Sequence, residues 1–160
     1  MTRTTFPTSL GRCALTWDVA GLTRFELPEA PPLRDDAVNP PEEIGHVIAR
    51  VPRHLAGEPQ DFADLRYDFA RVPEFHQAVL RATLAVKSGH TATYGDIARA
   101  LGQPPGASRA VGTALGANPW PLLIPCHRIV AAGGKMTGFS GPGGVATKVR
   151  LLALEGAQLL

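Results

Sequence analysis

"TYGDIARALGQPPGASRAVGTALGANPWPLLIPCHRIV", residues 93–130, decides how this chain is read. Thr93 stands where a helix N-cap should, with Asp96 three residues on, as in a capping box with Asp replacing Glu. Tyr94, Ile97, Ala98 and Leu101 then recur at helical spacing and Gly102 ends the run, which predicts a short helix. After "QPPG" a further helix is expected over "ASRAVGTALG", burying Ala107, Ala110, Val111, Ala114 and Leu115 and closing at Gly116. Two short helices joined by a Gly/Pro turn resemble a helix-turn-helix. The outer residues of the second, Ser108, Ala110, Gly112 and Thr113, are small, and Arg109 is the one long side chain among them. Such a helix can lie close against a groove and project a single guanidinium. Tight packing against a neighbouring helix is the competing explanation.

The stretch ends in "LLIPCHRIV", where Cys126 admits three readings: a reactive thiolate, a metal ligand, or core. A zinc site needs three or four Cys, His or acidic ligands, and a lone Cys-His pair supplies too few. Leu122, Leu123 and Ile124 predict a buried strand, and cysteine is a frequent core residue. Yet His127 and Arg128 interrupt the apolar run, and burying either unpaired would cost several kcal/mol, on the order of the desolvation of a lone charge. A reactive thiol gives those groups a purpose, since a basic neighbour lowers the cysteine pKa from about 8.5. In an extended backbone Cys126 and His127 point to opposite faces, so a water would have to bridge them. A carboxylate should orient the imidazole. The basic half offers only Asp96, occupied as a cap, and Glu155, in "LLALEG" at the end of a C-terminal helix.

Outside this stretch the chain divides by charge. Residues 1–75 carry 8 Lys/Arg against 12 Asp/Glu, a net of −4, while residues 76–160 carry 8 against 2, a net of +6. The second half therefore suits a polyanion. In the first half "GRCALTWDVAGLTRFELP" alternates around Ala20-Gly21 and predicts a β-hairpin. The proline-dense "PEAPPLRDDAVNPPEE" predicts a loop. Ile44, Val47, Ile48, Val51 and Leu55 predict a helix that Pro52 should kink or end early. "DFADLRYDF" predicts a strand, and "PEFHQAVLRATLAVKSG" a helix from Pro73 that Gly89 stops. No segment reaches the roughly 18 to 20 apolar residues of a membrane span. Nothing in the first residues resembles a secretory signal, and Cys13 with Cys126 forms no disulfide framework, so a cytoplasmic protein is expected.

The run from about Phe75 to Gly156, with "RAVGTALGANPWPLLI" before "PCHRI" and "GKMTGFSGPGGVATKVRLLALEG" after it, closely resembles the 6-O-alkylguanine-DNA alkyltransferases, also called methylated-DNA--protein-cysteine methyltransferases. The resemblance implies a ribonuclease-H-like α/β domain over residues 1–72, with a small antiparallel sheet and a helix. It implies a mostly α domain with a helix-turn-helix over residues 73–160, which binds DNA and transfers the alkyl group.

It implies irreversible, single-turnover transfer of a methyl or other alkyl group from 6-O-alkylguanine, or 4-O-alkylthymine, in duplex DNA to Cys126. Glu155 would orient His127, the water-linked base. Tyr94 would hydrogen-bond the departing guanine, and Lys148 would lie near the reactive centre. Arg109 would fill the gap left by a nucleotide flipped through the minor groove, with Ser108, Ala110, Gly112 and Leu115 on the DNA face. Carbonyls of Cys126 and Ile129 would read the guanine amino group, Phe139 and the Ser140 amide would adjoin the alkylated base, and Asn118 would tie the helix-turn-helix to the active-site strand. No cofactor and no metal are implied, and a monomer acting on double-stranded DNA is expected. Phe139 stands where many relatives have tyrosine, and "SGPGG" lengthens the approach to Lys148. Related proteins of the same fold bind alkylated DNA without transfer and recruit repair partners, but they replace the reactive cysteine that this chain keeps.

Overall fold

A computed structural model of the chain describes residues 1–28, 34–36, 38–139 and 141–157. Strands β1 (Thr2–Thr8), β2 (Gly11–Asp18) and β3 (Gly21–Glu26) form an antiparallel sheet in the order β1-β2-β3. The hairpin expected around Ala20-Gly21 pairs Asp18 with Gly21. β1 has no counterpart in the sequence reading because its threonines and Pro7 mask a strand that buries only Thr4 and Phe6. Helix α1 (Glu42–Leu55) packs on β1. It does not end early at Pro52. The proline falls in the last turn, where it removes one hydrogen bond, and burial of Val51, His54 and Leu55 holds the helix to its end.

Two further expectations are corrected. Residues 61–69 form no strand: Asp61 and Asp68 turn the chain by accepting from the amides of Ala63 and Ala70, leaving one parallel bridge between Leu22 and Tyr67. The described residues of the proline-dense stretch before Glu42 lack regular structure, as expected; its last two, Glu42 and Glu43, instead open α1, and the remainder lies outside the described residues.

The C-terminal part is mostly helical. α2 (Glu74–Thr83) starts after Pro73 but stops well before Gly89, where the Thr83 hydroxyl bonds back to the Val79 carbonyl. Strand β4 (Ala92–Thr93) leads into α3 (Tyr94–Ala100), whose capping box is complete: the Asp96 amide donates to Thr93 Oγ1 at 3.0 Å and the Thr93 amide to Asp96 Oδ2 at 2.9 Å. A tight 3-10 turn, Pro105–Ala107, enters α4 (Ser108–Gly116), which packs against both α2 and α3. Strand β5 (Ile129–Val130) runs parallel to β4, and α5 (Gly144–Leu154) closes the fold. No helix of the described residues is long and apolar enough to cross a membrane.

The strand expected over residues 122–124 is a tight turn. Leu122 adopts a left-handed φ of 82°, Ile124 N donates to Trp120 O at 2.9 Å, and Pro119, Pro121 and Pro125 leave no run of amides for a ladder. A buried leucine in that region stores on the order of 1–3 kcal/mol of strain. Asn118 holds the turn from both sides, donating from Nδ2 to Ile124 O and accepting from Trp120 N, each at 2.9 Å.

One hydrophobic cluster runs through both parts of the chain, and Trp120 joins them. Fully buried, it meets the rings of Tyr67 and Phe69 edge-on at 5.2 and 5.3 Å and donates from Nε1 to Leu22 O at 3.2 Å. Trp120→Ala is expected to cost about 3–5 kcal/mol in denaturant unfolding, the usual loss for a buried large aromatic. Because the cluster is continuous, tryptophan fluorescence and circular dichroism should report one coincident transition in the wild type.

Candidate active site

Cys126–Arg128 forms a single 3-10 turn, not the extended segment that would send neighbouring side chains to opposite faces. The turn starts where Cys126 N donates to Ile124 O at 2.7 Å and closes where Arg128 N donates to Pro125 O at 2.9 Å. His127 and Arg128 consequently reach the same carboxylate. Glu155 sits at the C-terminal end of α5 with its side chain 1% exposed. Arg128 grips it with two bonds, Nε to Oε1 at 2.9 Å and Nη2 to Oε2 at 2.8 Å, and places Nη1 on the Val86 carbonyl at 2.7 Å. His127 Nε2 lies 2.9 Å from Oε2, and His54 Nε2, from the end of α1, lies 2.8 Å from the same oxygen. Arg128, which could not be buried unpaired, thus has its partner, and it is the carboxylate that orients the imidazole.

Electrostatics follow from this geometry. Burial alone would push the Glu155 carboxyl up, but the hydrogen bonds from Arg128, His127 and His54 overcome it and hold the group far below the usual carboxylate range. Burial also pushes the His127 imidazole down, opposed by Glu155 and aided by the Arg128 charge and the nearby His54 ring. The ring is therefore uncharged near neutrality. With Nε2 on the carboxylate, Nδ1 is the basic nitrogen, and this buried atom has no hydrogen-bond partner among the described residues. The two cysteines differ. Cys13 is fully buried in β2 and its thiol is pushed up to about 12 by burial, against the lowering effect of the Thr8 hydroxyl. Cys126, 6% exposed, opens onto a cavity of about 280 Å³ lined by Tyr94, Gly112, Leu115, Gly116, Gly138 and Phe139. Drug-sized ligands occupy pockets of about 300–1,000 Å³, so this one suits a ligand of one or two rings.

Other residues singled out in the sequence fall around the cavity. Tyr94, on the first turn of α3, places its hydroxyl 3.3 Å from Thr137 Oγ1. Lys148 is buried, and its ammonium donates to the carbonyls of Ile129, Thr137 and Gly138 at 2.6, 2.9 and 3.2 Å while standing 5.8 Å from the centre of the Tyr94 ring. Burial pushes that ammonium down and the Cys126 charge pulls it up. Phe139 lies against Gly141, where a Cβ would come within 2.5 Å of its ring, so any larger residue there would push the ring aside. Ser140 lies outside the described residues. Arg109 and Ala110 are exposed on α4, with Ser108 and Gly112 half-buried. Ala110 therefore belongs to the outer face alone. Leu115 faces the other way, 5% exposed, as part of the cavity wall. Asn118 sits away from the cavity as the clamp on the 118–124 turn. Besides Thr137 and Gly138, whose carbonyls take the Lys148 ammonium, His54 contacts the site without being singled out by the sequence. Its only signal is position, three residues after Val51 on the buried stripe of α1.

A helix-turn-helix beside a buried Cys-His-Glu constellation defines a DNA-binding protein built around a thiol. Residues 74–157 match the family model described as 6-O-methylguanine DNA methyltransferase, DNA binding domain. The methylated-DNA--protein-cysteine methyltransferase of Mycolicibacterium paratuberculosis is 40% identical over 124 residues, covering 78% of this chain and 72% of its own length. That of Methanothermobacter thermautotrophicus is 33% identical over 145 residues, covering 91% and 80%. Among solved structures, the Mycobacterium tuberculosis OGT in complex with DNA superposes with a TM-score of 0.80 at 35% identity, covering 97% of this chain and 93% of that one. The chain belongs to the 6-O-methylguanine DNA methyltransferase family.

Two outcomes test the site's electrostatics. Peptide mass spectrometry after brief iodoacetamide treatment at neutral pH should find Cys126 carboxamidomethylated and Cys13 intact, since Cys126 opens onto a cavity while Cys13 is fully buried with its thiol pushed up to about 12. Glu155→Gln should cost about 3–5 kcal/mol at pH 7, because it strands a buried guanidinium. The Glu155 carboxylate, depressed in the folded state, lends stability above its unfolded pKa of about 4.3 and loses it as pH falls below that. In urea titrations the gap between wild type and variant should therefore narrow steadily below about pH 4.

Proposed function

We propose that this protein repairs alkylated DNA by transferring the alkyl group of 6-O-alkylguanine to its own Cys126. The observation that carries the reading is the buried relay in which Glu155 holds His127 Nε2 at 2.9 Å beside a cysteine that opens onto a cavity of one-to-two-ring size. His127 Nδ1 takes the thiol proton through a bridging water. The sulfur then attacks the alkyl carbon, the carbon–oxygen bond breaks, and the electron pair leaves with the guanine, whose ring nitrogen receives a hydrogen bond from Tyr94. The proton that His127 took passes back through the water to the departing guanine anion, so S-alkylcysteine, unmodified guanine and a neutral His127 result. No cofactor enters the balance, since the substrate brings the group that moves. Lys148 keeps a positive charge near the thiolate and the leaving base. The carbonyls of Cys126 and Ile129 already accept from Ile129 N and Lys148 Nζ, and each keeps a second lone pair for the guanine amino group.

Duplex DNA is the partner, met in the minor groove by α4. Small residues on that face permit close approach, and exposed Arg109 is long enough to replace the base swung into the cavity. The net +6 of residues 76–160 supports a salt-sensitive grip on phosphates with little dependence on sequence. The protein acts as a monomer in the cytoplasm, with residues 1–72 and 73–160 as its two domains.

Mixed with an equimolar duplex containing 6-O-methylguanine, the wild type should gain one methyl mass on the Cys126 peptide, and Cys126→Ala none. No gain in the wild type, or an equal gain in the variant, would overturn transfer. Arg109→Ala should slow reaction with the duplex about tenfold or more, the loss of roughly 1.4 kcal/mol of wedge contact. Its reaction with free benzylguanine should be unchanged, and equal losses on both substrates would argue against base flipping.

A further inference from the structure

Three donors share one carboxylate oxygen in the site, and one of them comes from the half of the chain that carries none of the reacting groups. We propose that His54 is a positioning residue for Cys126 chemistry, acting through Glu155 to aim His127 and to limit how tightly the carboxylate holds the His127 proton. The proposal rests on the transfer reading for its biological meaning but not for its test.

The geometry settles the direction of both His54 bonds. Gln60 N lies 3.0 Å from His54 Nδ1, and a backbone amide can only donate, so Nδ1 is the acceptor. The ring proton is then on Nε2, which donates to Glu155 Oε2 at 2.8 Å. The opposite tautomer would set two donors against each other at Gln60 and two acceptors at Glu155. His54 has little room to choose another arrangement. Its side chain is 2% exposed, and its ring packs on Phe62 at 5.6 Å, with the Arg50 guanidinium also over that ring at 5.2 Å.

Donation to Oε2 has two effects on His127. It adds to the Arg128 grip a second anchor on Oε2 from a different element, α1, so the imidazole meets an acceptor that cannot swing. It also draws charge from the very oxygen that would stabilise a protonated His127. The charged or titratable groups facing His127 are Glu155 from the end of α5, Arg128 from its own turn and His54 from α1, while Lys148 of α5 faces Cys126. Of these, His54 is the one whose bond can be removed without touching the charge of Glu155, its pairing with Arg128 or the thiol.

The test follows the rate of Cys126 modification against pH in the full-length protein, with iodoacetamide and with methylated duplex in parallel, for wild type, His54→Leu and His54→Gln. Leucine deletes both bonds; the glutamine amide offers one donor and one acceptor at similar spacing. His54→Leu should react about tenfold more slowly on the plateau, the loss of one hydrogen bond to a charged group. The acidic limb of its profile should move to higher pH, because Glu155 then holds the His127 proton more tightly. His54→Gln should restore both. Unchanged rate and limb in His54→Leu, or a slowing in both variants without movement of the limb, would overturn the proposal. Should His54→Leu not fold, ring-nitrogen NMR of the wild type decides, with bare Nδ1 and protonated Nε2 at His54 expected and the reverse tautomer overturning it. A wild type that takes no methyl from DNA, yet shows the His54-dependent iodoacetamide profile, would sink the transfer reading and leave this one standing.

Discussion

Everything at the site depends on keeping one carboxylate ionised out of water. A buried charge costs several kcal/mol unless it is paired and hydrogen-bonded, and Glu155 meets that demand with two bonds from Arg128 and one each from His127 and His54. Each donor fixes a piece of chain. Arg128 and His127 must share a turn tight enough to point both side chains at one acceptor, which a strand cannot do. Glu155 must stand at the end of α5, and the end of α1 must reach across from the other half. Arg128 adds the Val86 carbonyl, so the segment after α2 is held as well.

What the sequence disclosed, and what it hid, follows from the range of the interactions. The Thr93–Asp96 capping box spans three residues, and both of its bonds form as read. Glu155 was reachable by elimination, because the basic half holds only two acidic residues and one was already a cap. The Cys126–Arg128 turn is hidden in the sequence because the surrounding leucines and isoleucines imitate a strand, while the prolines that forbid one are spread over seven positions. β1 is the reverse case, a true strand in a threonine-rich sequence, supported by pairing with β2 and not by its own pattern. His54 was illegible for a plainer reason. Its partner is 101 residues away, and a histidine on an apolar stripe is indistinguishable from an ordinary core residue until the fold closes.

Cys13 and Cys126 show how little the residue type decides. Both are buried cysteines beside apolar neighbours. One lies inside a sheet, near a hydroxyl that cannot offset its burial, and its thiol is pushed up to about 12. The other begins a turn whose next two residues are committed to a carboxylate, and it faces a cavity. The difference lies in that turn and the charges it gathers, not in the residue type.

The half of the chain with a net charge of −4 is poorly suited to touch DNA, because its own field repels phosphate. Its influence has to pass through the interior. Two of the links among the described residues lead to the site: Trp120, which seats the strained turn before Cys126 against Tyr67 and Phe69, and His54, which reaches the carboxylate behind His127. The first route sets where the thiol stands, and the second sets which way its base is aimed. A site held by both cannot lose the acidic half without losing those contacts. That explains why a part that carries no reacting atom is nonetheless packed into one core with the part that does.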